Sequence, residues 1–429
     1  MPNVYLDHAA AAPLDSRVLA AMRPWLTKNF ANPSALYAAA VAAREAIEQA
    51  RKKVADILFT QPDTIIFTSG GTESINLALQ GVARKHENTK TRKHIVSTLV
   101  EHHAVQHTLK EFEKQGWRVT YLPVDRAGKI DLDDFKKALR QDTILVSIQY
   151  ANNEVGTIQP IAEIGREILK WRKAHRTAYN LDNSTTLQPP FFHTDACQAA
   201  AYLDLNVEKL HVDLMSLNGS KIYGPKGVGV LYKRRGVDIQ PLMYGGGQEF
   251  GLRPGTENVA GIVGLATAIA ECRMQNAELK RISKLRDYFW SGLQERIDDV
   301  KLNGSVLDSK IKNTKPKIQK YKSPNAERRT LNAELVRLPN NLNLTFPGTD
   351  TEALIIYLDA AGIQCSSQSA CSTDADEVSH VLLACGVSAQ AAKESVRFTL
   401  GKETTKKDIN YVLKCLPKVV EELRRALIP

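Results

Sequence analysis

Seven short apolar runs separated by helix-forming stretches fill the first half of the chain, and this alternation restricts the fold more than any other feature. They are T-I-I-F-T (64–68), H-I-V-S-T-L-V (94–100), V-T-Y-L-P-V (119–124), T-I-L-V-S-I-Q-Y (143–150), F-F-H-T-D (191–195), D-L-M-S-L (213–217) and V-G-V-L-Y (228–232). Near-continuous hydrophobic strands between helices predict a mostly parallel sheet covered on both faces. A helix over Val41 to Leu58, mixing alanine with spaced apolar and charged residues, leads into the first strand. Ligands bind such sheets at the carboxyl ends of the strands, so the polar residues following these runs are the candidates for chemistry.

Beyond about Gly261 the pattern changes to long helices, Ile262 to Ile297 being the clearest, with isolated strands N-L-N-L-T-F (341–346) and S-V-R-F-T-L (395–400). The expected architecture is α/β, with a large domain over 16–261 and a smaller α+β domain formed by 1–15 and 262–429. Thr405 and Asp408 stand at capping-box spacing at the head of the last helix. Two stretches read as inserted surface loops: 176–190, rich in Asn, Thr and Pro, and the basic 305–339.

With 429 residues, 43% of them hydrophobic, the chain can bury a sizeable core. No basic segment leads into a long apolar run, and no window nears the ~18–20 apolar residues of a membrane span, so a cytoplasmic location is expected. The net charge of +10 is largely local: eight lysines and arginines between Lys310 and Arg329 face one acid, Glu327. Only Tyr321 interleaves that segment, which gives base stacking little support and argues against direct nucleic-acid binding. Six scattered cysteines without a C-x-x-C pair indicate neither a disulfide framework nor a structural metal site. One of them stands apart. Cys371 sits at the centre of S-S-Q-S-A-C-S-T-D-A-D-E, among small polar residues that offer nothing to bury it. An accessible thiol can ionise and attack, whereas a buried one is an inert small hydrophobe.

Three strand-end features carry the rest of the chemistry. S-G-G-T-E-S follows I-I-F-T, so Gly71 and Thr72 open a helix whose unpaired N–H groups favour an anion such as phosphate, although ordinary capping explains the same residues. Asp195 ends F-F-H-T-D, with Gln198 three residues on, and a lone Asp there is equally an N-cap. Lys221 lies in S-L-N-G-S-K-I-Y-G-P-K-G, flanked by glycines, where a solvated surface charge is the plainer reading. Taken in order, a phosphate cup, a carboxylate for a pyridinium nitrogen and an amine for an aldehyde specify pyridoxal 5′-phosphate.

T-S-G-G-T-E-S, E-H-H-A-V, N-N-E-V-G, H-T-D-A-C-Q, the lysine segment, G-G-G-Q-E-F-G-L-R-P-G-T, S-S-Q-S-A-C-S and S-V-R-F-T-L-G follow one another along the chain. In that order they resemble the motifs of cysteine desulfurases, fold-type-I pyridoxal-phosphate enzymes of the class V aminotransferase superfamily. The resemblance runs from about Tyr5 to the final helix. It implies a seven-stranded large domain, Lys221 as the Schiff-base lysine, Asp195 as partner of the pyridine nitrogen and Gln198 as partner of the ring hydroxyl. It also implies that His102 stacks on the ring and handles protons, that Asn153 contacts cofactor or substrate, and that Arg397 clamps the substrate carboxylate. Thr256 matches a residue that reaches the phosphate of the other subunit, which implies a homodimer.

Departures occur at the cup, where Asn218 and Ser220 replace the family's usual serine and histidine; both can still donate, so a rewired cup is expected. Tyr37 and Gln368 replace a usual histidine and glycine. By resemblance, the reaction converts L-cysteine to L-alanine and leaves the sulfur as a persulfide on Cys371. A free thiol of pKa about 8.5 is only a few per cent ionised at pH 7, and Asp374, Asp376 and Glu377 disfavour the anion further, so activation is expected from Arg397 and His102. Cys365 is the nearest competitor, expected to be packed, and Cys197 is expected to point away from Asp195. The long cysteine loop resembles the iron–sulfur-cluster and nitrogen-fixation branch, which implies unaided activity and a sulfur-acceptor protein, either an iron–sulfur scaffold or a tRNA-thiolation enzyme. Selenocysteine lyase shares scaffold and cofactor and remains open. An RNA-binding protein using the basic insertion, and a cofactor-free scaffold, are the readings from other classes.

Overall fold

The computed structural model describes residues 2–87, 93–175, 188–271, 274, 276–307, 335–367 and 378–426. Cys371, Gln368 and most of both inserted loops lie outside them. The chain opens with β1 (Val4–Tyr5), α1 (Ser16–Thr27) and α2 (Ala38–Leu58). Seven strands follow where the apolar runs placed them: β2 (Ile65–Thr68), β3 (His94–Thr98), β4 (Arg118–Leu122), β5 (Thr143–Ser147), β6 (Phe191–Asp195), β7 (Leu214–Asn218) and β8 (Gly229–Lys233). Between them run α3 (Gly71–Lys85), α4 (His103–Lys114), α5 (Leu132–Ala138), α6 (Ile161–Ala174) and α7 (Val207–Leu210).

The strands form one sheet in the order β2-β8-β7-β6-β5-β3-β4. From β7 to β4 every pair is parallel, whereas β8 runs antiparallel to both β7 and β2. Every residue of β3, β5 and β6 is buried, as strands covered on both faces must be. The sheet therefore points the ends of β6 and β7, with Asp195 and the approach to Lys221, toward a common edge.

Downstream lie α8 (Val259–Glu271) and α9 (Asn276–Gln294), where one long helix had been expected; Met274 belongs to neither. Packing explains the division. α8 is buried along most of its length and lies against α1 and α2, while α9 packs on the last helix. There follow β9 (Lys301–Leu302), β10 (Asn341–Thr345), α10 (Thr351–Ala360), β11 (Ile363–Gln364), α11 (His380–Ala384), α12 (Ala389–Lys393), β12 (Ser395–Thr399) and α13 (Lys406–Ala426). A second, antiparallel sheet has the order β12-β10-β9, and β1 pairs in parallel with β11. At the head of α13, Thr405 N donates to Asp408 Oδ2 at 2.9 Å and Asp408 N donates to Thr405 Oγ1 at 3.3 Å, closing the capping box.

The described ends of the basic insertion are not surface loop. Ser305, Leu307, Arg337 and Leu338 are all buried. Ser305 Oγ donates to the Val336 carbonyl at 3.1 Å, and Arg337 pairs with Thr157 in an isolated bridge. Likewise Pro189 and Pro190, at the end of the first insertion, are buried. Both sheets share one hydrophobic core that includes Val146, Phe192, Leu265, Phe289, Leu342 and Phe398. Among the described residues no helix is long and apolar enough to cross a membrane.

Candidate active site

A cavity of about 130 Å³ lies at the strand ends. Nine of the residues singled out from the sequence line it: Gly71, Thr72, His102, Asn153, Asp195, Gln198, Asn218, Lys221 and Arg397. They come from α3, the head of α4, the turns after β5 and β6, the end of β7, and β12. The parallel order carries the ends of β3, β5, β6 and β7 to the same side, and Arg397 reaches them from β12 of the second sheet.

The floor is set by glycine. Gly70 has φ 156°, a region essentially closed to other residues, and a Cβ on Gly71 would meet Cys197 Sγ at 2.7 Å. The first turn of α3 therefore presents bare backbone to the cavity. Asn218 stands beside it, its Oδ1 accepting from Ser220 N at 3.2 Å and from Ser220 Oγ at 3.2 Å. Ser220 itself does not line the cavity, so of the two departures from the family pattern only Asn218 faces it. Cys197 lines the same cavity as Asp195, which corrects the expectation that it points away.

Asp195 is 8% exposed and accepts from Cys197 N at 2.9 Å through Oδ1. Lys221 Nζ donates to the carbonyls of Ala9 at 2.8 Å and Ala10 at 2.5 Å, and Gln198 Nε2 donates to Ala9 at 2.8 Å. Arg397 Nη1 donates to the Asn153 carbonyl at 3.1 Å and Nη2 to Asp7 Oδ1 at 2.8 Å. The N-terminal segment thus forms a wall of the site: Ala9 and Ala10 line it and Asp7 stands behind Arg397, and sequence reasoning missed all three. Backbone carbonyls such as those of Ala9 and Ala10 leave no residue signature in a sequence.

His102 caps α4, its Nδ1 accepting from Ala104 N at 3.1 Å, which places the proton of the neutral ring on Nε2. Burial, reinforced by the Lys221, His103 and His380 charges and opposed by Asp195, holds its pKa below the ordinary histidine value. Glu101, directly before it, is pushed up to about 8 by burial. Three of the described thiols are poor nucleophiles: burial raises Cys365 and Cys385 to about 12 and Cys197 well above the usual value. Thr256 is exposed and lines no part of the cavity within one chain. A wider groove of about 600 Å³ runs between α3 and α4 and shares Thr72 and His102 with the cavity. No group of three or more His, Cys, Asp or Glu among the described residues is arranged to hold a metal ion.

The donor set fits pyridoxal phosphate: a helix N-terminus bared by glycine, a buried carboxylate, and an amine on the facing wall. Known proteins lead to the same place. The aminotransferase class-V model matches residues 4–412. A cysteine desulfurase IscS of Dictyoglomus turgidum is 44% identical over 98% of this chain and 95% of its own length. A solved NifS-like protein superposes with a TM-score of 0.83 at 34% identity, covering 98% of this chain and 100% of that one. SspA in complex with cysteine superposes with a TM-score of 0.74 at 32% identity, covering 94% of this chain and 100% of that one.

Proposed function

This chain belongs to the class-V aminotransferase family and is a cysteine desulfurase; from that premise we propose that it binds pyridoxal 5′-phosphate in the strand-end cavity and passes the sulfur of L-cysteine to Cys371. The observation that carries this reading is the meeting of Lys221, Asp195, His102 and Arg397 around one cavity, since these groups suit an aldehyde, a pyridinium, a ring face and a carboxylate respectively. When bound, the cofactor supplies an electron sink for the charge that develops at the substrate's α-carbon.

The chain's own residues do the rest. The phosphate is held by the first turn of α3 with Thr72 and the Asn218 amide, and by Thr256 from a second copy. Asp195 keeps the ring nitrogen protonated, and Gln198 orients the ring hydroxyl. Arg397 binds the α-carboxylate, with Asn153 beside it. Lys221 Nζ, drawn to the cavity wall by the Ala9 and Ala10 carbonyls, moves the α-proton. His102, at the cavity with its proton on Nε2, relays a proton to the β-carbon that gives up the sulfur. The Cys371 thiolate forms the S–S bond as the substrate's C–S bond breaks, the bonding pair passes to the β-carbon, and that carbon takes a proton before L-alanine leaves. We assign the enzyme to the cytoplasm as a homodimer, delivering its persulfide to an iron–sulfur scaffold or a tRNA-thiolation enzyme.

Purified holoenzyme given L-cysteine and a reducing thiol should release alanine and sulfide in equal amounts. Cys371→Ser should keep the cofactor's absorbance and lose persulfide formation and turnover by more than about a hundredfold. Sulfide release that persists in Cys371→Ser overturns the assignment of the nucleophile. Absence of alanine from wild-type protein overturns the activity.

A further inference from the structure

Asp7 and Arg397 lie 390 positions apart in sequence and meet behind the cavity wall. The Arg397 side chain is 2% exposed, and its Nη2 donates to Asp7 Oδ1 at 2.8 Å. Arg397 lines the cavity and Asp7 does not, so the carboxylate holds the guanidinium from outside the space a substrate would fill. Asp7 is itself tightly placed. Thr399 N donates to the Leu6 carbonyl at 2.7 Å, Leu6 N to the Gln364 carbonyl at 2.8 Å, and both Ala10 N and Tyr5 Oη donate to the Asp7 carbonyl at 3.0 Å.

The geometry points to Asp7 as a positioning residue for the substrate's α-carboxylate, acting through Arg397. The inference rests on the reading that Arg397 receives an amino-acid carboxylate, and goes beyond it by naming what fixes that receptor. A guanidinium on a long, flexible stem binds a carboxylate well only when its plane is held, and a buried one without a counter-charge is costly. Asp7 on one edge and the Asn153 carbonyl on another fix the plane of the guanidinium where it lines the cavity. Asp7 also balances the Arg397 charge before substrate arrives. A cavity already neutral at that wall has less attraction for stray polyanions than one presenting a bare cation, while a single planar carboxylate can still share the fork.

The test uses full-length holoenzyme with L-cysteine and L-cysteine methyl ester, which lacks the carboxylate. Asp7→Ala should raise KM for L-cysteine about tenfold or more while kcat stays within about twofold, and the ester's KM should change less than about twofold. Asp7→Asn keeps an oxygen acceptor in place and should hold the L-cysteine KM within about threefold. Stabilisation by L-alanine, which has the carboxylate but no sulfur, should follow the same order of variants without turnover. Equal losses on acid and ester, a fall in kcat at constant KM, or an unchanged L-cysteine KM in Asp7→Ala each overturn the inference. Should Asp7→Ala fail to fold, Asp7→Glu, which shifts the oxygens by one methylene, carries the same expectation, and an unchanged KM there overturns it. Wild-type protein that makes no alanine refutes the desulfurase reading instead, and the L-alanine measurement still decides the role of Asp7.

Discussion

Glu101 shows how one buried carboxyl sets a pH profile for the whole protein. Its Oε1 accepts from Thr98 Oγ1 at 2.8 Å and Gln149 N at 3.0 Å, while Oε2 finds no hydrogen-bond partner among the described residues. Burial lifts its pKa to about 8, so the folded protein keeps it protonated at neutral pH, whereas the unfolded chain ionises it near 4.5. The raised value means that its stabilising contribution is complete below pH 4.5 and is lost as pH climbs through about 8. His94 and His193 run the other way: burial holds both near 4, so their contribution is present above 6.5 and fades as pH falls. Glu101→Gln keeps the shape and one acceptor oxygen, and isolates the carboxyl. Melting curves should show the variant gaining on wild type between pH 4.5 and 8, by on the order of a few kcal/mol, with no divergence below that window. Parallel curves would mean that Glu101 ionises in the folded state as freely as in the unfolded one. The same burial argument sorts the cysteines. With Cys197, Cys365 and Cys385 held as thiols, maleimide at pH 7 should spare all three.

At the scale of elements, β2 is an edge strand that the chain covers with side chains instead of another strand. Arg51 Nη1 donates to the Ile65 carbonyl at 2.6 Å and Phe67 N donates to Glu249 Oε2 at 2.7 Å, so one ion pair satisfies the open edge. Arg51 Nη2 donates to Glu249 Oε1 at 2.7 Å, and its guanidinium lies 5.0 Å from the Phe67 ring centroid and 5.1 Å from that of Phe250. Glu249 and Phe250 both have positive φ, 47° and 59°, a conformation that L residues adopt only when their surroundings hold them there. Arg253 Nε anchors the same loop to Glu73 at 3.0 Å. Removing one member leaves the other charge buried, so Glu249→Ala should cost about 3–5 kcal/mol and lower the melting temperature visibly; a loss below about 1 kcal/mol would show that the edge does not depend on this pair. None of this pairing was legible in the sequence, because Glu249 and Arg51 look like ordinary surface charges until the fold brings them together. What was legible was local: a run such as F-F-H-T-D gives the strand, its end gives Asp195, and G-G-T gives the helix start. The limit shows again at the basic insertion, read as loop from composition, whose ends at Ser305 and Arg337 are core. Deleting 308–334 should therefore leave desulfurase rate within about twofold, whereas extending the cut through Arg337 should unfold the protein; tRNA binding that disappears with the shorter deletion would revive the nucleic-acid reading.

For the whole molecule, the homodimer proposed above predicts that a second copy covers an apolar surface. A groove of about 470 Å³ is walled by Pro33, Ser34, Ile47, Arg51, Gln248 and Phe250. Along the same two segments Leu36 is 92% exposed, Phe30 81%, Tyr37 58%, Tyr244 84% and Phe250 57%. Large side chains in such numbers on neighbouring segments exceed the scattered exposure normal for a monomer and mark an interaction surface. The groove adjoins the loop that ends in Thr256, and Thr256 lines no part of its own chain's cavity, so the proposed dimer would use one structure both to lend Thr256 and to receive the second copy. In such a two-fold dimer the contact would be self-complementary, each copy lending its loop to the other. Leu36→Glu distinguishes this from a merely greasy surface. On an isolated chain, a charge at so exposed a position should change stability by no more than about 0.5 kcal/mol. Across a closed interface it is desolvated twice over. Sedimentation should show wild type at twice the chain mass and Leu36→Glu at the chain mass, with cofactor retention falling in parallel because Thr256 is withdrawn from the partner's phosphate. A wild type that sediments as a single chain and still holds its cofactor would remove both the dimer and the role of Thr256.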